Sequence, residues 1–142
     1  MSLTHWAKRV RTCFFAGMTY LKDLIEALRG ELQQYGEMLA RLDDAAVNSD
    51  LDAAEDAPLW AKPLQEQAGL IELALCRREQ TKRQVARDLS LPEEAVLPDI
   101  IPSLPRHYQL LMTALMDENK ALSARIQQRA NQSATCRSLC LI

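Results

Sequence analysis

The residue types that most often hold a metal ion, cysteine and histidine, are few in this chain. Cys136 and Cys140 are four residues apart, so a helix would place both thiols on one face. A structural zinc site needs four ligands, but no further Cys or His lies near this pair, and the two histidines are His5 and His107. The spacing therefore predicts no metal site, and we expect no cofactor.

A run of carboxylates between residues 43 and 56 is the second arrangement that could bind a cation. A calcium-binding EF-hand loop requires Gly at its sixth position and Glu at its twelfth, and this run does not provide them at that spacing. Residues 48–50 read Asn-Ser-Asp, which is typical of a turn. The run therefore predicts a solvated acidic loop.

The sequence also lacks the residue combinations on which catalysis depends. It contains no Gly-rich phosphate loop, and no nucleophile lies in a pattern with a matched base. Neither histidine follows a Glu at the Glu-x-x-His spacing of di-iron bundles. We therefore expect a protein that is not an enzyme.

The composition is typical of an all-α domain in a reducing compartment. The 142 residues fit one domain, and 48% of them are hydrophobic, which allows a core. Aromatic residues make up 5%, and Gly occurs four times, which favours helices over strands. Four cysteines in such a chain indicate free thiols and a cytoplasmic location. The net charge of −2 argues against a nucleic-acid partner.

The N-terminal segment 1–17 is interpreted as an arm that is poorly ordered. Basic residues precede a short apolar run from Cys13 to Met18, which is shorter than a signal peptide requires. No stretch of the chain approaches the roughly 20 apolar residues of a membrane span, so we expect no stable membrane insertion. A weak anchor on a membrane surface is the alternative for this arm.

The elements that position these residues are three predicted helices, the first from Met18 to Ala46. Its apolar residues alternate at spacings of four and three, which is the heptad pattern of packed helices. At 1.5 Å per residue this helix is roughly 43 Å long, so it must pack lengthwise on other helices. Its predicted core residues are Leu21, Ile25, Leu28, Leu32, Tyr35, Leu39 and Leu42.

A second long helix is predicted from about Pro63 to Leu89. Its heptad includes two basic residues, Arg78 and Lys82. A cationic C-terminal half suits the negative end of the helix dipole and solvent. A nucleic-acid patch is disfavoured by interleaved acidic residues and the lack of aromatics. The residues that this helix adds to the predicted core are Ile71, Leu75 and Val85.

The link between the second and third helices is punctuated by prolines. Pro92, followed by two Glu residues, predicts the first turn of a helix, which must be short because Pro98, Pro102 and Pro105 follow. The third helix is predicted to start near Pro105, with Tyr108 and Met112 in the core. Asn119 occupies a true seam position of this helix, where a polar residue either fixes register or recognises a partner.

The predicted architecture is an antiparallel bundle of three long helices over residues 18–133, followed by a tail, 134–142, that could continue the last helix. In element order this chain resembles the FlgN family of flagellar export chaperones. The resemblance rests on the heptad helix, the Pro-broken link 100–105 and the Asn-x-x-Leu step of Asn119 and Leu122.

The resemblance implies a cytoplasmic chaperone that binds helical segments of hook–filament junction proteins, keeps them unpolymerised and delivers them to the type III export apparatus. Family members use an aromatic residue near the C-terminus at the export gate, and none follows Tyr108 here. The family binds its clients through the C-terminal region. The client-binding residues expected from this are Leu115, Asn119, Leu122 and Ile126.

A different class of protein fits the same pattern. A regulatory or structural adaptor could use its heptad faces to associate with a second copy, forming a homo-oligomeric coiled coil. A chaperone should recover a stoichiometric junction protein from cells, whereas an adaptor should recover itself.

Overall fold

The computed structural model describes the backbone of residues 3–49 and 61–132 and the side chains of residues 19–46 and 62–132. Within these ranges the chain is all-α, with no strand, which confirms the predicted fold class. The long helices are α1 (Leu3–Ser49), α2 (Ala61–Asp88) and α4 (Arg106–Gln132). Between the last two lie the short helix α3 (Leu97–Ile100) and a 3-10 turn, Ile101–Ser103. In this part of the chain, no helix has both the length and the apolar character needed to cross a membrane.

The bounds of α1 differ from the predicted ones at both ends. The helix begins at Leu3, so it includes most of the segment 1–17 that the sequence set apart as an arm. The side chains of that segment, and residues 50–60 and 133–142 altogether, lie outside the described residues. At the other end α1 continues to Ser49, so Asp43 and Asp44 belong to a helix and not to the predicted acidic loop.

The short helix of the link lies later in the chain than predicted. The amide of Ala95 donates to the carbonyl of Pro92 at 3.0 Å, so the residues after Pro92 close a turn only. The helix starts after Val96, which is extended, and Pro98 stands in its first turn. A short helix is therefore present in the link, but the prediction that it starts at Pro92 was wrong. Pro98 fits the first turn because a first turn needs no amide donor.

The C-terminus of α2 ends in a Schellman motif built on a serine. Ser90 has a positive φ of 59°. The amide of Leu91 donates to the carbonyl of Ala86 at 2.8 Å, and the amide of Ser90 donates to Arg87 at 3.1 Å. These bonds satisfy carbonyls at the end of the helix and turn the chain towards α3.

The three long helices are arranged around α1. It packs against α2 and against α4, whereas α2 and α4 have few contacts with each other. The contacts of α1 with α2 run in opposite directions along the two helices. Gln34 contacts Gln67, whereas Glu31, which is earlier on α1, contacts Arg78, which is later on α2. The contacts of α1 with α4 run in the same direction along the two helices. Leu28 accepts a hydrogen bond from Asn119, and Asp43, later on α1, forms an ion pair with Arg129, later on α4.

Having neighbours on two sides changes which heptad row of α1 is buried. Five of the eight predicted seam residues are buried: Leu21, Ile25, Leu28, Tyr35 and Leu42. The other predicted positions, Leu32, Leu39 and Ala46, are less buried: the first two are half-buried and Ala46 is exposed. Burial at these levels is shifted to the preceding residue. The buried residues of this shifted row are Leu24, Glu31, Met38 and Ala45.

The buried apolar residues form two clusters at different levels of the molecule. The large core cluster joins α1 and α4 to the end of α2 and to the Pro-broken link, and the small core cluster joins the opposite part of the same helices. The large cluster contains Leu21, Leu24, Ile25, Leu28, Val85, Ala86, Leu97, Ile100, Leu104, Met112 and Leu115. The small cluster contains Met38, Leu42, Ala45, Leu64 and Ala130.

The remaining predicted core residues lie at the margins of these clusters. Tyr108 packs against the large cluster and Ile71 against the small one. Both are half-buried, as is Leu75, which lies between the two levels.

Candidate functional site

The two core clusters are separated by polar side chains, which we call the polar layer: the buried Glu31, Tyr35 and Asn119 and the half-buried Arg78. Glu31 is only 1% exposed. Its carboxylate accepts hydrogen bonds from the Tyr35 hydroxyl at 2.7 Å and from Arg78 Nη1 at 2.8 and 3.0 Å. A carboxylate withdrawn from water needs this combination of an ion pair and hydrogen bonds. The layer therefore ties α1 to α2 through charge where the apolar core is interrupted.

Tyr35 is held in its protonated form. Burial raises the pKa of Tyr35 to about 12, and the hydrogen bond to Glu31 acts in the same direction. The charge of Arg78 and a hydrogen bond with Ser123 oppose this rise. The hydroxyl consequently remains a donor to the Glu31 carboxylate at neutral pH.

Asn119 connects the polar layer to α4 and is incompletely satisfied. Asn119 is 4% exposed, and its Nδ2 donates a hydrogen bond to the backbone carbonyl of Leu28 at 3.2 Å. Its Oδ1 is buried and has no hydrogen-bond partner among the described residues. An unpaired buried acceptor costs roughly 1–3 kcal/mol, so the position is expensive unless a further donor reaches it.

A cavity of about 830 Å³ lies over the polar layer, between α2 and α4. Leu28, Glu31 and Tyr35 of α1 form its floor, and Val96 to Pro98 of the link lie at one end. Its volume is within the range of roughly 300–1,000 Å³ typical of ligand sites. The cavity exists because α2 and α4 separate above α1 at this level. Its walls are Leu75, Arg78, Glu79 and Lys82 on α2 and Met116, Asn119, Lys120, Ser123, Ala124 and Gln127 on α4.

The charged lining of the cavity has one positive charge in excess. Arg78, Lys82 and Lys120 are opposed by Glu31 and Glu79. Lys82 is 7% exposed, and its Nζ lies 2.9 Å from Glu79 Oε1. The hydrogen bond from Lys82 is the largest influence that lowers the pKa of Glu79. Lys120 is exposed and forms no ion pair within the described ranges.

The prediction of a solvated basic face on α2 is therefore only partly right. Arg77, Arg83 and Arg87 are exposed. Arg78 and Lys82 instead face the cavity, because each has a carboxylate partner there.

Three of the four expected client-binding residues, Leu115, Asn119 and Ile126, contact α1 or a core cluster. Leu115 is 8% exposed and belongs to the large core cluster. Asn119 is buried, and Leu122 and Ile126 are half-buried. Ile126 packs against the small core cluster. Of the four, only Asn119 lines the cavity.

The cavity-facing residues of α4 were missed because they occupy the polar positions beside the seam. A signal for them is nevertheless present in the sequence. Each long helix carries a polar or aromatic residue at a seam position, Tyr35 in the first, Arg78 in the second and Asn119 in the third. When the chain folds back on itself, these three residues lie at the same height along the helices. Their height is the one at which the apolar core is interrupted and the cavity forms.

Metal-ligating residues are not brought together in the part of the chain that the structure describes. No group of three or more His, Cys, Asp or Glu side chains there could hold a metal ion. Cys76 is a free, exposed thiol, and Cys136 and Cys140 lie outside the described residues. His107 is exposed at the start of α4.

Comparison of the chain with protein-family models, with curated proteins and with solved structures finds no match.

Proposed function

We propose that this protein is a cytoplasmic, non-enzymatic chaperone of the FlgN type. In this proposal its three long helices form an antiparallel bundle that binds helical segments of hook–filament junction proteins and delivers them to the type III export apparatus. The directions of the helices support this arrangement. Contacts of α1 with α2 run in opposite senses along the two helices, and contacts of α1 with α4 run in the same sense.

The observation that carries the proposal is the cavity between α2 and α4. In a four-helix bundle, a fourth helix would occupy the space between two such helices. A partner helix placed there would lie over α1 and contact α2 and α4, and its apolar side chains would cover the half-buried Leu75 and Met116. This is the helix-in-groove mode of recognition.

The self-associating adaptor is less well supported by the packing of α1. Its heptad row through Leu21, Leu28 and Tyr35 is buried within the same chain. Leu70 and Leu73 are the exposed large apolar residues of α2, and a self-associating α2 face would use them. Sedimentation of the wild type beside Leu70→Ser/Leu73→Ser tests the alternative: a dimer that the double substitution dissociates would favour the adaptor.

Co-purification tests the chaperone proposal directly. The tagged full-length chain is expressed together with each hook–filament junction protein, and complexes are isolated and sized by gel filtration. We expect a stoichiometric complex with at least one of them. If none is retained, the chaperone proposal is refuted.

A cavity-filling variant links that binding to the site. Ala124 lines the cavity and is exposed, so Ala124→Trp should fill the site without disturbing the core. We expect at least about a tenfold loss of junction-protein affinity, equivalent to roughly 1.4 kcal/mol, with unchanged helicity by circular dichroism. Ala121→Trp is the matched control, because Ala121 is exposed on the same helix and does not line the cavity. Equal effects of the two variants would place the partner elsewhere.

A further inference from the structure

We propose that the cavity recognises an acidic amphipathic helix that presents a side-chain hydrogen-bond donor to Asn119 Oδ1. This inference rests on the proposed function, since it specifies the chemistry of the segment that the chaperone binds. The partner helix places carboxylates beside Lys120 and Lys82, an apolar stripe over the floor of the cavity, and an amide or hydroxyl group at the level of Asn119.

The length of the cavity sets the length of the segment. It follows α4 from Met116 to Gln127, which is roughly 16 Å at 1.5 Å per residue. That span corresponds to about three helical turns of a partner. At one end the link closes the cavity, and Val96 there is 53% exposed. An apolar side chain of the partner would cover it.

The charge of the lining sets the charge of the segment. Lys120 is exposed and has no ion-pair partner among the described residues. Lys82 shares its carboxylate, Glu79, with Arg83. Acidic residues flanking the apolar stripe would therefore meet available positive charge, whereas basic ones would meet repulsion. Such complementarity acts chiefly on specificity and on the rate of association.

The unpaired acceptor sets a polar requirement inside the interface. Asn119 lines the cavity, and its Nδ2 is committed to Leu28, which leaves Oδ1 without a donor in the described structure. A purely apolar partner would leave this buried oxygen without a donor. A partner with an inward Gln, Asn, Ser or Thr would satisfy it, and buried polar pairs of this kind discriminate strongly between partners.

Charge preference is tested with two synthetic peptide probes. The acidic probe is a fluorescein-labelled, stapled amphipathic helix of about four turns, with Leu on its apolar stripe, Glu on both flanks and one central inward Gln. The basic probe carries Lys in place of every Glu. By fluorescence anisotropy at low salt, we expect the wild type to bind the acidic probe at least about tenfold more tightly, and this preference should shrink at high salt because ions screen it.

Lys120→Glu should abolish or reverse the preference for the acidic probe. The matched control is Lys62→Glu, which makes the same change of charge at an exposed α2 position that does not line the cavity. If both probes bind equally, or if Lys120→Glu and Lys62→Glu behave alike, the inference is overturned.

The donor requirement is tested by a double-mutant cycle. The central Gln of the acidic probe is replaced by Leu, and Asn119 is replaced by Leu. We expect the wild type to favour the Gln probe by at least about fivefold and Asn119→Leu to lose or invert that preference. Absence of coupling between the two changes would contradict the donor requirement, and circular dichroism verifies that the variant is folded.

Other occupants of the cavity give distinct results. Sedimentation that shows a dimer dissociated by Lys120→Glu would identify a second copy as the occupant and overturn the inference. Much tighter probe binding after neutralisation of Asp50, Asp52, Glu55 and Asp56 would identify the chain's own acidic segment and overturn it as well. Selective probe binding without any junction-protein complex would refute the chaperone proposal alone, whereas a complex insensitive to Lys120→Glu would refute this inference alone.

Discussion

At the scale of single residues, the molecule is defined by an ion pair between a buried carboxylate and a half-buried guanidinium group. Glu31 is almost completely buried, and Arg78 is its ionic partner. Such a pair contributes little net stability over apolar residues of similar size, because desolvation offsets the attraction, but removing one partner leaves an uncompensated charge. The pair therefore specifies how α2 aligns with α1 more than it strengthens their packing.

Removal of the Arg78 side chain charge should be costly and should be rescued by a second change. We expect Arg78→Leu to lower the free energy of unfolding by about 2–4 kcal/mol, and Glu31→Leu/Arg78→Leu to recover most of the loss. Urea denaturation of the three proteins measures this. Arg77→Leu is the control: Arg77 is exposed and 4.0 Å from Glu26, so it should cost less than about 1 kcal/mol. Equal costs at positions 77 and 78 would contradict a buried pair.

Tyr35 makes the stability of the folded protein depend on pH in alkaline solution. Its pKa rises to about 12 in the folded protein, from an ordinary value near 10, so the folded state retains the proton longer than the unfolded chain. The stabilisation from this proton is fully present below about pH 10 and is lost as pH rises towards 12. Two pKa units correspond to roughly 2–3 kcal/mol.

The prediction is that this alkaline loss of stability depends on one hydroxyl. Wild type and Tyr35→Phe are unfolded by urea at several pH values between about 8 and 12. The stability advantage of the wild type should be constant below pH 10 and should fall above it. A difference between the two proteins that does not change with pH would show that the Tyr35 hydroxyl has no raised pKa.

At the scale of elements, the sequence predicted the long helices better than their partners. Periodicity located α2 and α4 to within about two residues, and the shared row through Leu21, Leu28 and Tyr35 was recognised. A heptad pattern does not show how many helices surround it, so burial of the shifted row through Glu31, Met38 and Ala45 was missed. The cavity was missed for the same reason, because it arises from the separation of α2 and α4.

The end of α2 offers a test of local backbone conformation. Ser90 occupies the left-handed conformation that a Schellman motif requires, and a non-Gly residue there costs roughly 1–2 kcal/mol. We expect Ser90→Gly to raise the free energy of unfolding by about 1 kcal/mol. Ser90→Ala, which also removes the hydroxyl but keeps Cβ, should bring no such gain. Thermal and urea denaturation compare the three, and stabilisation by Ala equal to that by Gly would rule out the conformational explanation.

At the scale of the whole molecule, stability is distributed unevenly about the polar layer. The large core cluster draws on all three long helices and the link, whereas the small one contains only a few buried residues. Because α2 spans both levels, its two halves are held by different amounts of apolar contact. Its first half, with Leu64 and the half-buried Ile71, packs only on the small cluster.

Native-state hydrogen exchange should resolve this asymmetry. We expect amides of α2 near residues 64–71 to exchange through openings of lower free energy than those near 82–88, since local unfolding follows the density of buried apolar contacts. Met38→Ala should lower protection mainly at the first group, whereas Met112→Ala, at a residue that is fully buried, should lower protection along all of α2 by roughly 2–5 kcal/mol. Uniform protection along α2 in the wild type would mean that the two clusters unfold as one unit across the polar layer. The α2 residues that line the cavity lie between Leu75 and Lys82, so a bound partner helix should slow exchange there first.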